Sequence, residues 1–280
     1  MNFGEILDSS VTIYRRHFGL FLKLAIVSLS VPLLLLVYVG ARFLGSFMTR
    51  TPSLAPLLWV FPIVLLYYVA SLVLTAGTVR IISESYLGRT PRLQDALALG
   101  VSKIGSLVLV GLGKGIILFL IALGIGVVVA ILAALGKAAG AAAVLLIFVI
   151  CVLGVWLAVF VASGYGVTTP VVVLENLASS FDAFGRSWEL TRTFKLKVLG
   201  LGVVAILLTN TVPSLVFRSI GSAVLPSVPA LGVALTALGY LLPLILAPVL
   251  AAVITLMYYD LRVRREAFDL QVLGQQLGII

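Results

Sequence analysis

Six apolar runs divide the chain, at about 20–40, 56–79, 115–135, 140–163, 198–218 and 231–259. Each is near the roughly 20 consecutive apolar residues that a helix needs to cross the ~30 Å hydrocarbon core of a bilayer. None shows the strict alternation of a half-buried strand, and in lipid a helix satisfies all of its backbone hydrogen bonds within one segment. The pattern predicts an all-α, polytopic membrane bundle of about six transmembrane helices, one integral membrane domain over 1–280.

Between the runs the pattern shifts to amphipathic helical spacing, and three segments share one layout. In NFGEILDSSVTIYRRHFGLFLK, Asn2 can cap a helix with Glu5 three residues on, Phe3, Leu7, Tyr14 and Phe18 recur near helical spacing, and Arg15 and Arg16 close the segment. In TPRLQDALALGVSKIGSLVLVGLGK, Thr90 is placed to cap, Pro91 suits the first helical position, and Asp95 precedes Lys103. In SSFDAFGRSWELTRTFKLK, Ser179 and Asp182 are spaced as a capping box, Phe181, Phe184 and Trp188 form a stripe, and Arg192, Lys195 and Lys197 follow. Acid near a helix start and base near its end both complement the macrodipole. The segments therefore read as three interfacial amphipathic helices, each leading into a hairpin of spans. Glu5, Asp95 and Asp182 lie 90 and 87 residues apart. That spacing suggests a helix-plus-hairpin pseudo-repeat over about 1–79, 80–163 and 164–259, followed by a C-terminal helix over 260–280.

Composition places the chain in lipid: 62% of residues are hydrophobic and 10% charged, against about 25% charged in soluble domains. Charge then orients it. The short connections after the first, third and fifth runs carry only Arg42, Arg50, Lys137 and Arg218, so the other side holds 15 of the 19 basic residues and all ten acidic ones. By the positive-inside rule that side is the cytoplasm, with both termini, and the membrane is the cell membrane. The net charge of +9 sits beside apolar runs instead of forming a basic stripe, so anionic headgroups, not nucleic acid, are the expected partner. An acidic start, MNFGEILD, before the first run argues against a cleavable signal peptide. Cys151 is alone in an apolar run and reads as a small core residue.

Polar groups within the spans are few. Lys114, in GLGKG, is a charge of the kind that marks ion paths or ligand sites, but Lys23 and Lys197 occupy comparable places in their own segments, so Lys114 is expected to snorkel at the interface. Asn210, flanked by Thr209 and Thr211 before Pro213, can satisfy backbone groups freed by the proline. Pro243 and Pro248 should bend the last span and could open a cavity there. Gly111, Gly113, Gly115, Gly124 and Gly126 allow helices to approach closely. Trp59 reads as an interfacial anchor.

The C-terminal stretch YYDLRVRREAFDLQVL contains three i,i+4 pairs: Asp260 with Arg264, Arg262 with Glu266 and Arg265 with Asp269. Two readings stay open, a solvated helix end or an Arg-rich surface for headgroups or a partner, docked on Glu175, Asp182 and Glu189. Candidate headgroup or partner contacts are Arg186, Trp188, Arg192, Arg262, Arg264 and Arg265; candidate structural ion pairs use Glu175, Asp182, Glu189, Asp260, Glu266 and Asp269. His17 is the only histidine, which excludes HExxH and any multi-histidine metal site, and GxSxG is absent. No catalytic, metal or cofactor site is expected.

Two stretches, VTTPVVVLENLASSFDAFGRSWELTRTF from Val167 and MYYDLRVRREAFDLQVL from Met257, with the six-span layout, resemble the glycerophosphoryl diester phosphodiesterase membrane-domain family. The resemblance rests on Pro170, Glu175, Ala183, Arg186, Ser187, Trp188, Leu190 and Thr191, and on Tyr259, Asp260, Arg262, Arg265, Glu266, Asp269 and Leu270; Ala267 stands where relatives often have Gly. Some members join this membrane domain to a phosphodiesterase domain, which these 280 residues lack. The resemblance implies a membrane module without that activity. The leading expectation is a non-enzymatic protein that binds lipid, a protein partner or a second copy through its interfacial helices. The rivals are a transporter or lipid translocase with a cavity lined by Lys114 and Asn210, and a lipid-modifying enzyme using the cytoplasmic carboxylates.

Overall fold

A computed structural model describes residues 1–48, 58–135 and 140–266. Eleven α-helices follow one another among these residues: α1 (Phe3–Arg16), α2 (Phe18–Met48), α3 (Val60–Tyr86), α4 (Leu93–Ser102), α5 (Ile104–Leu135), α6 (Gly140–Gly164), α7 (Thr168–Leu174), α8 (Asp182–Thr191), α9 (Lys195–Ile206), α10 (Val212–Val224) and α11 (Pro229–Glu266). A π-helical turn at Leu207–Thr211 joins α9 to α10. No strand occurs among the described residues, and six helical stretches are long and apolar enough to cross a membrane. The chain is an all-α, multi-pass membrane protein. Arg50, Lys137, Ala267, Asp269 and Leu270, with the remainder of the C-terminal helix expected to 280, lie outside the described residues.

The short helices begin where an acid falls in the first turn. The Asn2 amide donates to the Glu5 carboxylate at 2.7 Å, opening α1 as a capping box. For α4 the expected cap is displaced: Arg92, extended at φ −118° and ψ 139°, is the N-cap, and Thr90 and Pro91 precede the helix. This start puts Asp95 at the third helical position, the place Glu5 holds in α1. Before α8 only half of the box forms. The Ser179 amide donates to Asp182 at 2.9 Å, while the Ser179 hydroxyl accepts from the Phe181 amide at 3.3 Å.

Each short helix breaks briefly and a span follows, at His17, at Lys103 and across Arg192 to Phe194. The third span accordingly starts at Ile104, well before the apolar run expected from 115. Glycine and serine lower the hydropathy of this stretch, but a glycine costs a helix only about 1 kcal/mol. Lys114 therefore sits ten residues beyond the start of α5, roughly 15 Å along its axis. Lys23 and Lys197 lie only five and two residues into α2 and α9, so the three lysines do not hold equivalent positions along their helices.

The short helices pack cyclically: α4 lies on α3, α8 on α6 and α7, and α1 on α11, which brings the two ends of the described chain together. Their buried positions match. Ile6 and Ser10, Ala96 and Gly100, and Ala183 and Ser187 are buried pairs four residues apart, offset by the same 90 and 87 residues as the acids. Alanine, glycine and serine let a helix lie close to its neighbour's backbone. A β-carbon at Gly100, for example, would stand 2.8 Å from the Val73 carbonyl oxygen.

The core is confined to this end of the bundle. Its members on the spans, from Phe21, Leu24 and Leu29 through Val79 and Ile82 to Leu256 and Tyr258, all come from the halves nearest α1, α4 and α8. The opposite halves turn large apolar side chains outward, as at Leu34, Phe119, Phe148 and Leu208. Lipid tolerates that exposure, because it is as apolar as the side chains.

Glycines divide accordingly. A β-carbon at Gly232 would lie 2.4 Å from the Leu225 backbone, which makes the α10–α11 hairpin possible only with glycine there, and Gly111 lies under the Tyr68 hydroxyl. Gly115, Gly124 and Gly126 face open space instead of a helix contact. Gly232→Val should therefore destabilise the protein by about 1–3 kcal/mol, the usual cost of overpacking. Gly124→Val should be neutral or mildly stabilising; thermal unfolding in detergent distinguishes the two.

Candidate functional site at the charged end

Two ion networks join α11 to the rest of the charged end. Asp260 is buried on the last turns of α11, with only 2% of its side chain exposed. Its carboxylate meets the Met1 ammonium at 2.5 Å, Lys197 of α9 at 2.6 Å and Arg264 at 3.0 Å. Lys197 also donates to the Met1 carbonyl at 2.8 Å. A buried carboxylate is tolerable only with such compensation, and here it draws the start of α1 and the start of α9 onto α11.

The second network centres on Arg186 of α8. Its guanidinium donates to Glu175, the C-cap of α7, at 3.0 Å, and also to Glu266, and lies 3.6 Å from Glu189. Arg262 reaches Glu266 at 3.0 Å and the Tyr258 hydroxyl at 3.2 Å, and that hydroxyl donates to Glu175 at 2.8 Å. Burial works against the Arg186 charge, but hydrogen bonds to Glu175 and Glu266 outweigh it and raise its pKa. Arg265 donates to the Glu189 carbonyl at 2.9 Å and to Thr193 at 3.0 Å. The structure thus brings Glu175, Glu189, Glu266, Arg186, Arg262 and Arg265 together, whereas Asp182 stays at its cap and bonds Ser179.

Beside this network α6 ends at Gly164, whose carbonyl accepts from the Ser187 hydroxyl at 2.9 Å and the Thr191 hydroxyl at 3.1 Å. Trp188 covers the same glycine, leaving no room for a β-carbon. Lys195, at the start of α9, places its ammonium 3.4 Å from the ring centroids of both Phe160 and Trp188. Trp188 is therefore half-buried and occupied by a cation of its own chain.

A second class of cations is free. Arg15, Arg16, Lys23, Arg89, Arg92 and Arg192 are exposed and make no ion pair among the described residues. Of the arginines singled out from the sequence, only Arg192 belongs to this group; Arg186, Arg262, Arg264 and Arg265 are engaged within the chain. Local spacing foretells the i,i+4 partners of Arg262 and Arg264, but the partners that engage Arg186 and Arg265 come from elements distant in sequence.

Of the intramembrane candidates, Lys114 is half-buried and has no hydrogen-bond partner among the described residues. Asn210 is exposed; Thr209, not Asn210, bonds the backbone, at Ala205, and a π-helical turn at Leu207–Thr211 precedes Pro213. Two cavities are described, an apolar groove of about 180 Å³ between α2 and α11 and a shallow one between α5 and α6. Neither is lined by Lys114 or Asn210. No three His, Cys, Asp or Glu side chains converge as metal ligands among the described residues.

Removing one member of a buried pair strands the other, at a cost of about 3–5 kcal/mol. Asp260→Asn should approach that loss in chemical unfolding, whereas Glu5→Gln, at an exposed cap, should cost about 1 kcal/mol or less. Adding Lys197→Met to Asp260→Asn should recover part of the deficit, since the stranded ammonium is removed with its partner.

No protein-family model, curated protein or solved structure matches the chain.

Proposed function

We propose that the chain is a non-enzymatic membrane module that holds anionic phospholipid at its charged, cytoplasmic end. The observation that carries this reading is the division of the cations. One set neutralises the chain's own carboxylates, and the other, on and beside α1, α4 and α8, is exposed without a protein partner. Unpaired arginines at the level where spans begin complement the negative potential of an anionic leaflet. The positive-inside asymmetry orients that end toward the cytoplasm.

The carboxylates support the absence of catalysis in this reading. Glu175, Asp260 and Glu266 each accept hydrogen bonds from cations or a phenol, so their oxygens are already engaged within the chain instead of being placed to take a proton from a substrate. The resemblance to the phosphodiesterase membrane-domain family points the same way, toward a membrane module separate from hydrolysis.

The test is lipid selectivity in reconstituted membranes. Spin-labelled phosphatidylglycerol should be immobilised by the protein in preference to phosphatidylcholine, and added salt should weaken that preference. Each basic residue near an anionic surface contributes about 1 kcal/mol. Replacing Arg16, Arg89, Arg92 and Arg192 by Gln should therefore reduce the preference many-fold while leaving thermal unfolding unchanged. Equal immobilisation of the two lipids by the unsubstituted protein would refute the reading.

A further inference from the structure

The groove between α2 and α11 has a form that a close-packed bundle would not leave. Phe18, Phe21, Ala25 and Leu29 line one wall, and Leu244 and Pro248 the other. Its lining on α2 continues to Leu33, fifteen residues beyond Phe18, which is about 22 Å of helix and most of one ~30 Å hydrocarbon layer. The only side-chain oxygens in the lining are those of Tyr14 and Ser30. Leu22 and Ile26 on its edge are exposed, so it opens sideways onto lipid.

Two features of the sequence keep this space open, and a third places charge at its end. Pro248 lies within α11, and a helix-internal proline removes a backbone hydrogen bond and bends the helix. Across the groove, α1 bridges the gap at the charged end, where the Tyr14 hydroxyl donates to the Ile245 carbonyl at 3.0 Å. Burial raises the Tyr14 pKa, so the phenol stays a donor at neutral pH. Cations flank the same end: Arg15 follows Tyr14 directly, and Lys23 follows Leu22, both exposed and without an ion pair.

We propose that the groove is a binding site for one acyl chain of an anionic phospholipid, whose phosphate is met by Arg15 and Lys23. The inference rests on the lipid-binding reading above and assigns it a particular place. A long volume of about 180 Å³ is too thin for a helix, which is about 10 Å across with its side chains, but suits a flexible hydrocarbon chain. It exceeds the ~150 Å³ apolar cavity that is known to stay dry and take up benzene. A second copy of the chain is a poor occupant on charge grounds. A two-fold contact at this face would set Arg15 and Lys23 near the same residues of the other copy.

Photo-crosslinking tests the site. The full chain is reconstituted in phosphatidylcholine vesicles containing phosphatidylglycerol with a diazirine on one acyl chain, and adducts are mapped by peptide mass. Adducts should concentrate on 22–33 and 244–248. Ile26→Trp, at an exposed edge position, and Ala25→Leu each fill the groove and should suppress them. Arg15→Gln with Lys23→Gln should lower adducts from phosphatidylglycerol by about fivefold per charge and leave those from a diazirine phosphatidylcholine unchanged. The wild-type map and the charge variants decide the matter even if a groove-filling variant fails to fold. Adducts spread evenly over the six spans, or crosslinks between copies at the lining, would overturn the proposal. Even spreading with phosphatidylglycerol selectivity retained removes only this site; even spreading with selectivity absent removes the lipid-binding reading as well.

Discussion

The buried carboxylate of Asp260 is the point on which the arrangement of this bundle depends. Lipid tails are as apolar as leucine, so burying apolar side chains between spans gives little of the driving force that folds a soluble core. Contacts that lipid cannot imitate must define which helices meet. Asp260 supplies one, drawing Lys197 and the start of α1 to the last span. Arg186 supplies another by tying α7 and α8 to the end of α11 through Glu175 and Glu266. The core cluster follows these networks and stays at the same end, while the opposite halves of the spans remain clothed in exposed apolar side chains.

Such networks are a weak source of net stability, because desolvating two charges offsets much of their attraction. Their effect is on specificity. A span that rotated or slid by a few residues would bury Asp260 or Arg186 without partners, and that penalty is larger than the gain from the correct pairing. The glycine contacts act in the same direction, since Gly164 admits Trp188 and Gly232 admits the Leu225 backbone only in one register. Polar pairing and steric fit therefore select one arrangement from many that lipid would solvate equally well.

What was legible in the sequence was whatever depends on neighbours along the chain. Span number, the Asn2–Glu5 box and the pairs Asp260–Arg264 and Arg262–Glu266 follow from local spacing, and each has its counterpart in the structure. Pairings between distant helices were not legible. Lys197 and Arg264 look alike as basic residues near a span, yet nothing in spacing says that Lys197 belongs to Asp260, 63 residues away. For the same reason Arg186 and Arg192, six residues apart, could be grouped as surface cations from sequence, whereas one is locked between two glutamates and the other is free. Lys114 shows a different limit. Its place was read from the positions of Lys23 and Lys197 in their own segments, but a helix tolerates glycines that lower hydropathy, and α5 begins at Ile104 and runs on through GLGKG, so Lys114 lies farther along its helix than the other two.

The helix α1 links the two features that matter most here. Met1, just before its first turn, sits on Asp260, and its last turn holds Tyr14 against the carbonyl of Ile245, three residues before Pro248. One helix of 14 residues therefore spans both the ion network and the mouth of the groove. Because α1 is a rigid element and not a loop, it cannot move far at one end without disturbing the other. Displacing Tyr14 to open the groove should therefore strain the contact at Asp260, and loss of charge at Asp260 should loosen the wall that Tyr14 provides. The free cations Arg15 and Arg16 ride on this same helix, so the surface proposed to meet anionic lipid, the groove and the buried network share a single mechanical part. Coupling of this kind needs no long chain of intermediates, only two differently anchored ends on one stiff body.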